Sequence, residues 1–128
     1  GGGRDRLSGD EGDDDLRGGG GDDVLAGGRG RDRLDGGAGE DRMTGGAGAD
    51  SFVFTVRFDG ATVTDFRPGR DTLLLDARGE ALGMAAFRRA LSEEDGALIY
   101  DRGDDGRNTI VLPGLSAGDL GREDILFG

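Results

Sequence analysis

Along the first half of the chain the recurring apolar side chains stand nine residues apart, at Leu7, Leu16, Leu25, Leu34, Met43 and Phe52. Neither the 3.6-residue period of an amphipathic helix nor the alternation of a half-buried strand produces that spacing. Each of these residues is the centre of a three-residue segment, enough for a very short strand with its middle side chain facing inward. The other six residues of each unit are rich in glycine, which tolerates the positive φ of a tight turn. One unit is then half a coil, and two units make a turn of 18 residues whose strands stack in parallel about 4.8 Å apart. The pattern predicts an all-β fold, a two-sheet parallel solenoid of nonapeptide repeats over residues 1–56.

From Ser51 the pattern changes, and all six Phe and the one Tyr fall at or beyond it. Strands are predicted over 51–56, 62–66 and 71–75, with a turn at Arg67-Pro68-Gly69-Arg70 between the last two. Met84, Phe87 and Leu91 mark a short amphipathic helix over 84–91. Residues 97–100 and 108–112 read as a strand pair around the acidic turn Asp101–Gly106, and 124–127 as a final strand. A solenoid whose last coil is bare exposes an apolar face and an open sheet edge, so residues 57–128 are assigned as its β-rich cap with one short helix.

The polar positions keep the same register. Asp5, Asp14, Asp23, Asp32, Asp41 and Asp50 each stand two residues before an apolar position, and Gly3, Gly12, Gly21, Gly30, Gly39 and Gly48 two residues before each aspartate. Stacking at 18 residues places Asp5, Asp23 and Asp41 in one column and Asp14, Asp32 and Asp50 in the other. Carboxylates about 5 Å apart repel by roughly 1 kcal/mol in water and several times more at a protein-like dielectric. Ca²⁺ between adjacent turns converts that repulsion into ligation and draws on backbone carbonyls for six to eight oxygens, whereas Mg²⁺ demands a strict octahedron. Alternation along the turn points to the carbonyls of the fourth-position glycines named above and of the second position, Gly1, Asp10, Gly19, Gly28, Gly37 and Gly46. About four inter-turn sites are expected, at 5/23, 23/41, 14/32 and 32/50, with half-sites at the ends.

Outward positions support the same spacing. At 18 residues opposite charges meet at Arg4/Asp22, Glu11/Arg29, Asp13/Arg31, Asp15/Arg33 and Arg17/Asp35, while Asp22/Glu40 pairs like charges. Composition adds a constraint: 29 glycines in 128 residues and a net charge of −11 lie close to the range of disordered chains. A thin core needs free energy from elsewhere, and metal binding coupled to folding provides it. The negative balance excludes a basic nucleic-acid footprint. Absence of cysteine excludes disulfides and thiolate metal sites. No run approaches transmembrane length, and no signal peptide opens the chain.

The unit Gly27-Gly28-Arg29-Gly30-Arg31-Asp32-Arg33-Leu34-Asp35 is similar to the calcium-binding repeat of the RTX (repeats-in-toxin) proteins. The departures are Asp10 for the second glycine of one copy and a first copy that begins at its second position, which suggests a longer parent. The run Gly45-Gly46-Ala47-Gly48-Ala49-Asp50-Ser51-Phe52-Val53-Phe54, then Thr64-Asp65-Phe66, Gly69 and Asp71, resembles the C-terminal region of serralysin-type secreted metalloproteases and related type I secretion substrates. That resemblance implies a β-roll closed by this segment, an export signal at Glu123-Asp124-Ile125-Leu126-Phe127, and one further calcium at Asp65 and Asp71.

A nucleophile–base pair with histidine cannot be assembled, and no H-E-x-x-H motif exists. Paired carboxylates are abundant, but the periodic ones are committed to metal, and Glu93, Glu94, Asp104 and Asp105 lie in turns. The chain is therefore expected to be non-catalytic. The first functional reading is a secreted, extracellular module that folds on calcium, engages the type I secretion machinery and serves an upstream catalytic or toxin domain. The alternative is a module binding a polysaccharide or cell surface, as in alginate epimerases and adhesins, through outward Arg29, Arg31, Arg33 and Arg42.

Overall fold

The computed structural model describes residues 2–54, 59–75, 89–101 and 109–127. Within them the nonapeptides form β1 (Arg6–Ser8), β2 (Asp15–Gly20), β3 (Val24–Arg29), β4 (Arg33–Ala38), β5 (Glu40–Ala47) and β6 (Ser51–Phe54). Odd-numbered strands enter one sheet and even-numbered strands the other, so the chain coils back and forth between two parallel stacks. The register is the one the apolar spacing requires: Leu7 lies beside Leu25 and Leu25 beside Met43, while Leu16 lies beside Leu34 and Leu34 beside Phe52.

The strands are longer than the expected three residues. β2, β3 and β4 each run six residues and β5 runs eight. The first two glycines of a unit continue the ladder, with Gly19 paired to Gly37 and Gly28 to Gly46. The chain turns at two positions of the unit: Gly19, Gly28 and Gly37 take φ of 97°, 97° and 90°, and Gly21, Gly30 and Gly39 take 106°, 119° and 120°.

Past the last nonapeptide come β7 (Gly60–Val63), β8 (Thr72–Leu75), β9 (Leu91–Glu94), β10 (Ala97–Asp101), β11 (Thr109–Pro113) and β12 (Ile125–Phe127). The expected strand over 62–66 starts earlier and stops at Val63, because Asp65 turns its carboxylate onto the backbone of Gly45 and Gly46. The expected helix over 84–91 lies outside the described residues through 88. Leu91 belongs to strand β9, not to a helix. The expected pair over 97–100 and 108–112 is present as antiparallel β10 and β11, with Leu98 beside Leu112, and most of its acidic turn lies outside the described residues.

The cap extends both sheets. β11 joins β7 in parallel, giving the order β1-β3-β5-β7-β11-β10-β9, and β12 joins β8, giving β12-β8-β6-β4-β2. One apolar cluster runs between the sheets from Leu25 and Leu34 through Phe52, Leu73 and Leu98 to Ile125. Phe52 and Phe66 pack as a tilted pair with ring centroids 6.1 Å apart. Leu7 and Leu16, in the first coil, are only partly buried against it.

That gradient has a measurable consequence. Leu34→Ala, at a fully buried position, is expected to cost about 2–5 kcal/mol, and Leu7→Ala distinctly less. Urea denaturation in excess calcium reads both, and equal losses would contradict the packing.

Candidate metal centre

The aspartates of each turn reach back to the turn before. The amide of Asp5 donates to Asp23 Oδ1 at 2.8 Å, that of Asp14 to Asp32 Oδ1 at 2.9 Å, that of Asp23 to Asp41 Oδ1 at 3.0 Å and that of Asp32 to Asp50 Oδ1 at 3.0 Å. The two columns expected from the nine-residue period are thus physical ladders at a separation of 18. They are also buried: Asp23, Asp32, Asp41 and Asp50 are 1%, 3%, 5% and 1% exposed.

Each ladder uses one carboxylate oxygen. The other, Oδ2 of Asp14, Asp23, Asp32 and Asp50, is buried without a hydrogen-bond partner. Such orphaned charge is costly unless a cation or proton meets it. Backbone oxygen converges on the same places. A methyl group on Gly9 would strike Asp14 Oδ2 and lie 2.6 Å from the carbonyl oxygen of Gly27. On Gly18 it would strike Asp23 Oδ2 and lie 2.6 Å from Gly36 O, and on Gly27 it would strike Asp32 Oδ2 and lie 2.7 Å from Gly45 O. Only glycine leaves that space open. Unpartnered carboxylate oxygen beside carbonyl oxygen is the donor set of a hard cation, and the residues present fit calcium. Among the described residues no three acidic side chains gather, so these sites rest on the aspartates and the backbone.

The first-position glycines Gly9, Gly18, Gly27, Gly36 and Gly45, which lie beside these oxygens, are not among the positions the aspartate spacing marks. A signal for them exists: glycine fills this position in all five copies that contain it, while the second position admits Asp10. Of the second-position residues, Gly1 lies outside the described residues, the carbonyl of Asp10 accepts the amide of Arg29 at 2.7 Å, and a Cβ on Gly28, Gly37 or Gly46 would collide with the carbonyl oxygen of Asp10, Gly19 or Gly28. Asp10 itself holds φ of 70°, a conformation that Asp tolerates better than most side chains. Fourth-position carbonyls face the next turn: a Cβ on Gly21, Gly30, Gly39 or Gly48 would collide with the carbonyl oxygen of Gly3, Gly12, Gly21 or Gly30.

Asp65 and Asp71 engage different segments. Asp65 accepts the amides of Gly45 and Gly46, both at 2.8 Å. Asp71 continues the even column, accepting the Asp50 amide at 3.0 Å across 21 residues, and its second oxygen accepts the Arg67 amide at 2.9 Å. The odd column ends at Asp41, because Ala61 stands beside it in the ladder.

Electrostatics follow the burial. Desolvation pushes the Asp41 carboxyl up to about 6, helped by the charges of Asp23 and Asp22 and opposed by the Asp23 amide. Burial likewise pushes Asp50 up to about 6, with the charges of Asp71 and Asp32 adding to it against the Asp32 amide. Asp32 is raised for the same reason. On the outside, Arg4 meets Asp22 at 3.4 Å, Arg29 meets Glu11 at 3.8 Å and Arg33 meets Asp15 at 3.4 Å. Arg17 instead pairs with Asp15 in its own strand at 3.1 Å. Asp13 takes the Arg31 backbone amide, and the like-charged Asp22 and Glu40 are reconciled because Asp22 accepts the Glu40 amide at 3.0 Å.

The family model described as RTX calcium-binding nonapeptide repeat (4 copies) matches residues 1–25 and 18–52. No curated protein sequence matches the chain. Among solved structures, a subunit of the mannuronan C5-epimerase of Azotobacter vinelandii is similar at 34% identity and a TM-score of 0.73, over 97% of this chain and 78% of that one. The extracellular lipase LipA of Serratia marcescens is similar in fold at 22% identity and a TM-score of 0.73, over 91% of this chain. The chain spans 20% of that lipase's length.

Two outcomes follow from the ladders. Asp32 stands between two turns of its column and Asp5 at the end of the other, so Asp32→Ala is expected to raise the calcium midpoint of folding several-fold more than Asp5→Ala. Equal midpoints in a circular-dichroism titration would contradict the 18-residue stacking. The second concerns pH. Asp41 and Asp50 titrate near 6 in the coil against an ordinary 3.8. A raised carboxyl favours the folded state fully below the ordinary value and loses that contribution as pH rises through the folded one. In chelator, acidification from about pH 7, above the window those values define, to about 4.5, inside it, is therefore expected to increase folding. With calcium present the same acidification raises the midpoint, because protons compete for the carboxylates. Absence of any gain in structure on acidifying the chelated chain would contradict the burial of these groups.

Proposed function

The chain belongs to the family of RTX calcium-binding nonapeptide repeats, and from that premise we propose that it is the calcium-triggered folding module of a larger exported protein. The observation that carries this reading is the set of buried, unpartnered Oδ2 atoms of Asp14, Asp23, Asp32 and Asp50. Asp5 with Asp23, Asp23 with Asp41, Asp14 with Asp32 and Asp32 with Asp50 would hold the ions, completed by carbonyls of the first and fourth positions, and Asp71 would extend the even column beyond Asp50. Calcium supplies the positive charge and the oxygen-bridging contacts that the glycine-rich coil lacks.

At cytosolic calcium the aspartates repel one another, the repeats stay open and the chain remains competent for a type I exporter. Outside the cell, calcium meets the 10⁻⁴–10⁻³ M affinities typical of extracellular modules. A site filled to 100 times its Kd adds about 2.7 kcal/mol, so a few coupled sites are enough to fold a chain with a thin core. The segment that resembles an export signal supports the same order of events. In the folded chain Ile125–Phe127 is a strand of the five-stranded sheet. Just before it, Asp124 is buried on the amides of Gly69 at 2.6 Å and Gly121 at 2.7 Å. A receptor reading this segment would meet it as free chain before folding. The catalytic or toxic activity belongs, in this reading, to an upstream domain of the parent protein, which is secreted.

A calcium titration followed by far-ultraviolet circular dichroism tests the reading. A coil-like spectrum in chelator that turns to β structure by about 10 mM Ca²⁺, above the affinity range of such sites, is expected. An unchanged spectrum would overturn it.

A further inference from the structure

The two sheets end together at the first coil. β1 and β2 are its two halves, and each is the outermost strand of its sheet, with no strand among the described residues on its free side. At the far end the sheets stop at different depths, because β11, β10 and β9 follow β7 while β12 alone follows β8. There β9 carries exposed Glu93 and Glu94, and charged side chains on an edge resist pairing. The first coil also leaves its apolar residues short of cover. Leu7 and Leu16 are half-buried, whereas Leu25 and Leu34, one coil further in, are fully buried.

The residues along this edge are complementary to themselves under a two-fold rotation. Antiparallel pairing of β1 with the same strand of a second copy, centred on Leu7, sets Leu7 against Leu7, Arg6 against Ser8, Asp5 against Gly9 and Arg4 against Asp10. Pairing of β2 with its copy, centred on Leu16, sets Leu16 against Leu16, Asp15 against Arg17 and Asp14 against Gly18. No acid then faces an acid, and no arginine an arginine. Neighbouring registers fail on both counts. Centred on Asp15, the pairing opposes Asp15 to Asp15 and Leu16 to Asp14, and centred on Arg17 it opposes Arg17 to Arg17 and Leu16 to Gly18. Centred on Arg6, β1 opposes arginine to arginine. Charge and burial therefore select the same register. Arg17 already meets Asp15 of its own strand at 3.1 Å, with both side chains exposed, so the crossed pairs need only an exchange of partners.

We propose that the first coil is a head-to-head pairing surface whose partner is a second copy of this chain, related by a two-fold axis through Leu7 and Leu16. Such an isologous contact uses the same patch on both copies and closes at two. Both sheets then continue across the interface, and the free N–H and C=O groups of β1 and β2 find partners. The two Leu7 and two Leu16 side chains close the end of the core. The crossed Asp15–Arg17 pairs, one on each side of the axis, fix the register. Head-to-tail stacking is not available, because the cap occupies the far end of the coil. The contact is only one coil across and its ion pairs are exposed, so association is weak, with a Kd on the order of 0.1 mM. The surface exists only in the folded coil, so the inference rests on the calcium-folding reading.

The test is sedimentation equilibrium of the 128-residue chain in saturating calcium, with circular dichroism on the same samples to confirm folding. Concentrations run from about 10 µM to about 1 mM, a decade on either side of the expected Kd. Expected is a monomer–dimer equilibrium in calcium and a monomer in chelator. Arg17→Asp sets acid against acid and Asp15→Arg sets arginine against arginine, so each variant alone should dimerise about tenfold more weakly. Mixed in equal amounts, the two variants restore both crossed pairs, and the mixture should return to within about threefold of the original Kd. Arg42→Ala, on β5, should leave association unchanged. The proposal is overturned by a folded chain that stays monomeric over this range, by variants that associate as the original does, or by a mixture that fails to recover. A mass that climbs past the dimer overturns it too, since that marks an open-ended contact at another edge. So does a folded monomer that captures a free peptide of residues 18–35, which would give the edge to a further nonapeptide coil instead. A folded chain that gives any of these leaves the calcium-folding reading intact, whereas a chain that stays coil-like in calcium overturns both.

Discussion

The fold depends on one electrostatic conflict, the placing of like charges above one another inside a coil. Every second nonapeptide sets an aspartate over an aspartate, and both are removed from water. Hydrogen bonding relieves part of this, since one oxygen of Asp23, Asp32, Asp41 and Asp50 takes the amide of the aspartate before it. The opposite oxygens of Asp14, Asp23, Asp32 and Asp50 have no such relief. Desolvation is the larger part of the cost at Asp41 and Asp50, ahead of the neighbouring charges. A chain this rich in glycine also pays heavily in backbone entropy when it orders. The apolar core between the sheets is one side chain wide in the first coils, too thin to offset both terms. In the proposed reading a cation resolves the conflict and adds the missing cohesion together, so that ligation and folding are one event.

The cap answers a different constraint. A parallel stack can end only by leaving an edge or by changing its pairing. Here it changes pairing: β11 extends the odd sheet in parallel and then reverses into antiparallel β10 and β9. β12 extends the even sheet beside β8. At the same boundary side chains bond the backbone of the last coil directly. Asp59 accepts the Gly39 amide at 3.0 Å, and Asp65 the amides of Gly45 and Gly46. The Arg70 guanidinium donates to the Gly46 carbonyl at 3.1 Å. Backbone groups that an eighteen-residue neighbour satisfies in the coil are thus satisfied by single side chains at its end.

How much of this was legible follows from whether the signal was periodic. The strand register, the two columns and the outward pairs Arg4/Asp22 and Asp15/Arg33 are consequences of a repeat length, and a repeat length is visible in one sequence. The close approach of the first-position backbone is hard to see because a backbone oxygen has no side chain to mark it; only the constancy of Gly27 and its equivalents hints at it. Past Phe52 the separations become 20 residues at Thr44/Thr64 and 21 at Asp50/Asp71. A slip of two or three residues erases the period, so Asp71 could be tied to the site by resemblance but not placed in the column. The edge strand β9 escaped for another reason. Its residues Ser92, Glu93 and Glu94 are exposed, so no apolar alternation announces a strand whose pairing is set by β10.

The most direct test of the ligation geometry is the position of calcium in a crystal of the loaded chain, located by anomalous scattering. The account predicts ions between successive turns of each column, one of them flanked by Asp14, Asp32 and the carbonyl of Gly27. Ions held within a single turn, or on outward acids such as Asp13 and Asp22, would contradict it.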